Sequence, residues 1–192
     1  MKRAVLLLAH GSPDSVQEIP EFLLQITRGR PLAAEVIAEV QHRYGRIGCS
    51  PLTRLTLEQG RLLSENLGMP VYVGMRNWKP YIADAMVQMA ADRIEQAVAI
   101  CLAPQNSRTS VGLYGAALQL NGEPGFAIDF VESWHDHPLL IKAFAEKFTA
   151  GWSPGVPVIF TAHSVPQRTI AEGDPTSGRP RRPRGWWPGK WA

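Results

Sequence analysis

At 192 residues, 45% of them hydrophobic and 19% charged, the chain has the composition of a folded α/β domain, or of one domain and part of another, which excludes a disordered chain. Its net charge of +3 does not mark a nucleic-acid binder. Five basic residues (Arg179, Arg181, Arg182, Arg184 and Lys190) fall between Thr176 and Ala192 with no acid among them, leaving residues 1–175 with 15 basic and 17 acidic side chains, a net of −2. The two cysteines, Cys49 and Cys101, stand in no metal or redox spacing, and Cys101 reads as a small buried hydrophobe.

Lys2 and Arg3 open the chain ahead of the apolar run Ala4–Ala9. This mimics a secretory signal, yet the run is six residues long and stops at His10-Gly11-Ser12-Pro13 with no small-residue cleavage pattern. It reads as a strand. No later window approaches a membrane span, so a cytoplasmic protein without a transmembrane segment is expected. The spacing then predicts helices over Ala33–Tyr44 and Leu55–Leu67, a strand over Pro70–Met75 and a helix over Pro80–Arg93. A strand over Ala97–Leu102, a helix over Ser110–Leu120 and a strand over Phe126–Val131 follow, then a helix over Pro138–Phe148 and a fifth strand over Val156–Phe160. The strand runs do not alternate with polar residues, so both faces of the sheet are expected to be covered. Strand alternating with helix is the pattern of a parallel sheet with crossover helices.

In such sheets ligands sit outside the carboxyl ends of the strands, which directs attention to the loops there. His163 follows the fifth apolar run, between Thr161-Ala162 and Ser164. A neutral imidazole at that place accepts a proton or ligates a borderline divalent metal; it equally suits a structural ring that ties two loops. His10 follows the first strand and precedes a glycine that lets a ligand approach the backbone. His135 and His137 flank Asp136 just before Pro138. Two-residue spacing sets them on opposite sides of an extended segment, so Asp136 is read as a helix cap between two solvent-facing histidines. His42 is read as surface. Arg28, Arg30 and Arg43 supply cations suited to carboxylates, or form solvated loops. Phosphate-loop, dinucleotide, serine-hydrolase, HExxH and paired CxxC motifs are absent.

A series of motifs in fixed order resembles the ferrochelatases. It runs Leu7-Leu8-Ala9-His10-Gly11-Ser12-Pro13, Arg28-Gly29-Arg30, Ser50-Pro51-Leu52-Thr53, Val73-Gly74-Met75-Arg76 with Pro80-Tyr81-Ile82, and Leu102-Ala103-Pro104 followed by Ser107 and Ser110-Val111. Val131-Glu132-Ser133-Trp134 and Thr161-Ala162-His163-Ser164-Val165-Pro166 with Glu172-Gly173-Asp174-Pro175 complete it. The resemblance implies an α/β fold: a parallel sheet with crossover helices in a chelatase-like (Rossmann-like) first lobe, plus the start of a second lobe. It implies insertion of Fe2+ into protoporphyrin IX or coproporphyrin III in haem biosynthesis, with porphyrin and ferrous iron as partners and no nucleic acid. His163 matches the family's metal-site histidine. His10 takes the position near the porphyrin's metal centre, where one branch carries a tyrosine. Thr27, Arg43, Tyr44, Ser50 and Tyr114 fall on porphyrin-lining positions, and Asn77 falls where some members carry a second metal-associated histidine. No cofactor beyond the substrate iron is expected, and two cysteines are too few for an iron–sulfur cluster of four.

The expected organisation is a first lobe over residues 1–150, the first strand and metal-site loop of an incomplete second lobe over 151–175, and a foreign tail over 176–192. Fourteen of the tail's 17 residues are Gly, Pro, Arg, Trp or Ala, all with GC-rich codons, which suggests a shifted reading frame; a basic-aromatic arm for single-stranded nucleic acid is the alternative. The tail holds no carboxylate to face His163, so weakened catalysis is expected. A porphyrin- or haem-binding fragment without turnover, or a cobalt or nickel chelatase, are the competing readings. A monomer is expected, with peripheral membrane contact allowed.

Overall fold

The computed structural model describes residues 1–120, 125–160 and 166–174. Strands β1 (Arg3–Ala9), β2 (Val71–Met75), β3 (Gln96–Cys101) and β4 (Ala127–Val131) form one sheet in the order β2-β1-β3-β4, with every neighbouring pair parallel. Helices α1 (Ile19–Ile26), α2 (Ala34–Ile47), α3 (Leu52–Leu67), α4 (Ile82–Ala91), α5 (Val111–Leu120), α6 (Pro138–Gly151) and α7 (Gln167–Ala171) make up the rest. The fold is α/β, as the alternating pattern requires. All four strands lie within one residue of their predicted bounds.

By contact, residues Met1–Leu102 and Tyr114–Val131 make one compact unit, and residues Ala103–Leu113 with the chain from Glu132 onward make another. The first holds the sheet. β1 lies between two strands, and six of its seven residues are buried, with Leu6 and Leu8 fully enclosed. Each such leucine contributes about 1.5–3 kcal/mol through the apolar area it removes from water. Ile19 and Phe22 of α1 and Ile82, Met86 and Met89 of α4 complete this core with Trp78, whose indole stands edge-on to Phe22 at 5.8 Å between centroids. Full coverage of both faces holds for β1 alone. In β3 burial alternates, and edge strand β4 has no fully buried residue.

Three sequence expectations need correction. Val156–Phe160 is not a strand: no ladder forms over it among the described residues, and Ile159 and Phe160 are 85% and 79% exposed. An apolar run takes up strand pairing only where a neighbouring strand offers its backbone groups. The cap of α6 is His137, whose Nδ1 accepts the Leu139 N–H at 3.3 Å; Asp136 does not serve. His135 is half-buried rather than solvent-facing, with its Nδ1 2.9 Å from the Ser133 hydroxyl.

Two further helices escaped the periodicity. α1 is eight residues long, preceded by a 3-10 turn over Val16–Glu18. Its approach is written locally: Glu18 accepts from the backbone of Ser15 in a capping box that starts the 3-10 turn, and Pro20 occupies the first turn of α1, where no N–H is needed. α7 is five residues long, too short to show a period. No helix among the described residues is long and apolar enough to cross a membrane.

Candidate active site

The register of the sheet assembles the site. β1 pairs with β2 so that Ala9 lies opposite Met75, and the next residues along each chain, His10 and Arg76-Asn77, therefore emerge together at the carboxyl rim. Two more backbone bonds carry the pairing past the strands: Arg76 N–H to the Ala9 carbonyl at 3.0 Å and Asn77 N–H to the His10 carbonyl at 2.9 Å. The strand order reverses direction at β1, since β2 lies to one side of it and β3 to the other, and such a switch point is where open parallel sheets bind ligands.

Gly11 turns the chain immediately after His10 with φ +83°, a left-handed conformation that favours glycine. A Cβ there would lie 2.6 Å from the Trp78 backbone nitrogen, so the turn requires glycine twice over.

The ring of His10 reaches solvent, and its one hydrogen-bond partner among the described residues is the Asn77 side-chain amide, with Nδ2 3.1 Å from both Nδ1 and Nε2. Partial burial of the ring, and then the Arg76 guanidinium, hold the His10 pKa below the ordinary imidazole value. His10 is therefore neutral near pH 7 and keeps a lone pair to offer a proton or a metal. Arg76 is half-buried, with its guanidinium carbon 5.3 Å from the Tyr114 ring centroid, and its Nε is buried with no partner among the described residues. Tyr114 is 4% exposed. Burial first and Cys101 second push its phenol up to about 12 against the opposing pull of Arg76, so the hydroxyl stays protonated.

The structure thus brings together His10, Asn77 and, through Arg76, Tyr114. The sequence reading set His10 after the first strand, and the resemblance marked His10, Asn77 and Tyr114 as porphyrin-site positions; Arg76, directly after the second strand, was given no role of its own. The other candidates stand apart from this group, with no hydrogen bond joining them to it among the described residues. The Thr27 hydroxyl at the end of α1 donates back to the Leu23 carbonyl at 3.0 Å. Arg43, exposed on α2, pairs with Glu39 at 2.7 Å. Tyr44 is half-buried on the same helix. The Ser50 Oγ accepts the Leu52 N–H at the start of α3 at 3.3 Å. His163 lies outside the described residues, as does the tail. His42 is exposed, as read.

A second polar cluster went unread. The buried carboxylate of Asp174, 2% exposed, accepts from the Ser107 hydroxyl at 3.0 Å and the Arg108 N–H at 2.7 Å, while the Arg108 guanidinium donates to the Glu172 carbonyl at 2.8 Å. It ties the loop after β3 to the segment after α7.

A parallel α/β sheet with a neutral histidine, an amide and a half-buried cation at the carboxyl end of its central strand defines an α/β protein whose candidate ligand site lies at the rim of the sheet. Comparison with known proteins takes this further. The family model for ferrochelatase matches residues 2–179. The chain is 58% identical to the ferrochelatase of Acidobacterium capsulatum over 189 residues, covering 95% of this chain and 58% of that protein. It is 40% identical to the ferrochelatase of Deinococcus radiodurans (89% of this chain, 59% of the relative) and 34% identical to coproporphyrin III ferrochelatase 2 of Bacillus thuringiensis (91% and 59%). The chain belongs to the ferrochelatase family, and it spans less than three-fifths of the length of these relatives.

Proposed function

We propose that the chain holds a porphyrin at the carboxyl rim of its parallel sheet and serves the insertion of ferrous iron into that ring in haem biosynthesis. The observation that carries this reading is the pairing of His10 with Asn77 at the end of β1, beside Arg76. Metal insertion must remove two pyrrole protons and pass the metal to the ring nitrogens. A neutral imidazole can do either, by accepting a proton or by lending its lone pair to the metal in transit.

The roles follow the chemistry of each side chain. His10 meets the ring's metal centre. His163, supported by its motif alone, is the second metal-site histidine and takes up pyrrole protons. Thr27, Tyr44, Ser50, Asn77 and Tyr114 line the porphyrin, and Arg43 meets a propionate. To do so Arg43 must leave Glu39, an exposed pair worth only ~0–1 kcal/mol, so the exchange costs little. Iron is substrate here, and the chain's own residues need no further cofactor. Cys49 is exposed and Cys101 buried, an unsuitable pair on which to build a cluster. Residues 151–175 begin a second lobe in this reading, and the chain acts as a cytoplasmic monomer on protoporphyrin IX or coproporphyrin III.

The test is a titration of the purified chain with each porphyrin, followed at the Soret band, and an iron-insertion assay on the same samples. Binding of at least one porphyrin, weakened by His10→Ala, is the expected result. A folded chain that shifts neither porphyrin's Soret band would defeat the proposal.

A further inference from the structure

We infer that Tyr114 is a positioning residue that works through Arg76: its ring seats the guanidinium, whose fixed charge beside His10 loosens the hold on a metal ion and draws in an anionic porphyrin. The inference rests on the reading above, in which His10 stands at the porphyrin's metal centre.

Tyr114 is buried, so it offers a ligand little surface of its own. What it does offer is the face of its ring, over which the Arg76 guanidinium carbon stands 5.3 Å from the centroid. The ring's quadrupole attracts a cation there, the more so where water is excluded. Arg76 Nε is buried with no partner, and no carboxylate pairs with the guanidinium among the described residues. The charge is therefore seated but not neutralised, and its neighbours feel it.

One such neighbour is His10. Ala9 and Met75 are the last register pair of β1 and β2, and His10 and Arg76 come next on each strand. The Arg76 N–H bonds the Ala9 carbonyl and the Asn77 N–H bonds the His10 carbonyl, so the two residues leave adjacent strands side by side, with backbones about 4.8 Å apart. The same charge helps to keep the imidazole neutral. A fixed cation in that place acts with opposite signs on the two substrates. It repels a divalent ion on the His10 lone pair, which suits a ligand that must let its metal go. It attracts the carboxylates that every candidate porphyrin carries.

Those opposite signs are the test. The full chain, at one fixed pH and low salt, is titrated with Co2+, following the His10 ring protons by NMR, and separately with coproporphyrin III, following the Soret band. The ring protons are assigned by their loss in His10→Ala. Arg76→Met is expected to tighten Co2+ binding about fivefold and to weaken porphyrin binding about threefold. Arg76→Lys keeps the charge and stays within about twofold of the parent on both. Tyr114→Leu moves both constants in the directions of Arg76→Met, whereas Tyr114→Phe keeps the ring face and follows the parent. High salt shrinks each difference. Damage confined to the fold would weaken both ligands together. If Tyr114→Leu melts below the assay temperature, Tyr114→Met replaces it. Arg76→Met binding Co2+ no more tightly than the parent, or Tyr114→Phe as altered as Tyr114→Leu, overturns the inference. His10 protons that ignore Co2+ in the parent defeat the placement of His10 itself, a separate outcome with which this inference also falls.

Discussion

The two units of this chain solve the problem of burying polar backbone in different ways. In Met1–Leu102 with Tyr114–Val131, a parallel ladder satisfies the main chain of four strands, and the side chains of β1 are enclosed almost without exception. In Ala103–Leu113 with the chain from Glu132 onward, no strand ladder forms among the described residues, α6 has no buried residue, and Leu139 and Phe144 are 69% and 58% exposed. Specific clamps tie that unit among the described residues, including the Asp174 carboxylate on Ser107 and Arg108, and Trp152, which stacks on Phe148 and donates its indole N–H to the Val156 carbonyl at 2.8 Å. Apolar composition alone does not decide burial. Ile159 is as hydrophobic as any residue of β1, but among the described residues it joins no ladder and stays 85% exposed.

The sharpest way to break this contrast is to truncate one residue on each side of it. Leu6→Ala, at a fully enclosed site, should cost about 2–5 kcal/mol in urea unfolding, whereas Ile159→Ala should stay within about 0.5 kcal/mol. Equal losses would dissolve the distinction. Next in size is Asp174→Ala, which removes the acceptor of the Arg108 N–H and leaves the buried Ser107 hydroxyl with Thr109 alone. A loss of about 2 kcal/mol is expected, with faster hydrogen exchange at the Arg108 amide. An unchanged exchange rate there would show that the clamp does not organise its unit.

The smallest effect concerns the Tyr72–Asp92 bond of 2.6 Å in the sheet unit. The Tyr72 hydroxyl, and then Gln88, hold the Asp92 carboxyl below its ordinary 3.8. A folded-state pKa lowered in this way contributes stability at pH values above the ordinary carboxylate range and loses it as the pH falls through the lowered value. Burial first, and Asp92 second, push Tyr72 up to about 12, so on the alkaline side the contribution is full below pH 10 and fades as the pH rises toward 12. Melting curves of Tyr72→Phe should therefore lie slightly below those of the parent at neutral pH and converge with them in strong acid. A constant gap through acid would count against the bond.

Much of this architecture was legible before any coordinates. The strands could be placed because continuous runs such as Val5–Leu8 have no helical reading at that length, and the longer helices because their apolar spacing persists over three turns or more. α1 hid behind a short length and a proline, though Ser15 and Glu18 announced its start. Val156–Phe160 misled because a run of apolar residues records the capacity to pair and not the presence of a partner. In the site, position after a strand marked His10 and Asn77 one at a time. Their contact depends on the Ala9–Met75 register, which no local pattern encodes. Arg76 was given no role for the same reason: its meaning comes from Tyr114, 38 positions away in the chain and brought close only by folding.

Trp78 has a consequence for how such a protein can change. It follows Asn77 directly, and its indole is wedged into the interior against Phe22. The residue beside the imidazole and the rivet that fastens the loop are thus consecutive links of one chain, and a substitution that slackens the interior near Phe22 reaches the neighbourhood of His10 through a single peptide bond. Efforts to stiffen this interior, or to reshape the rim beside His10, cannot treat those two goals as separate.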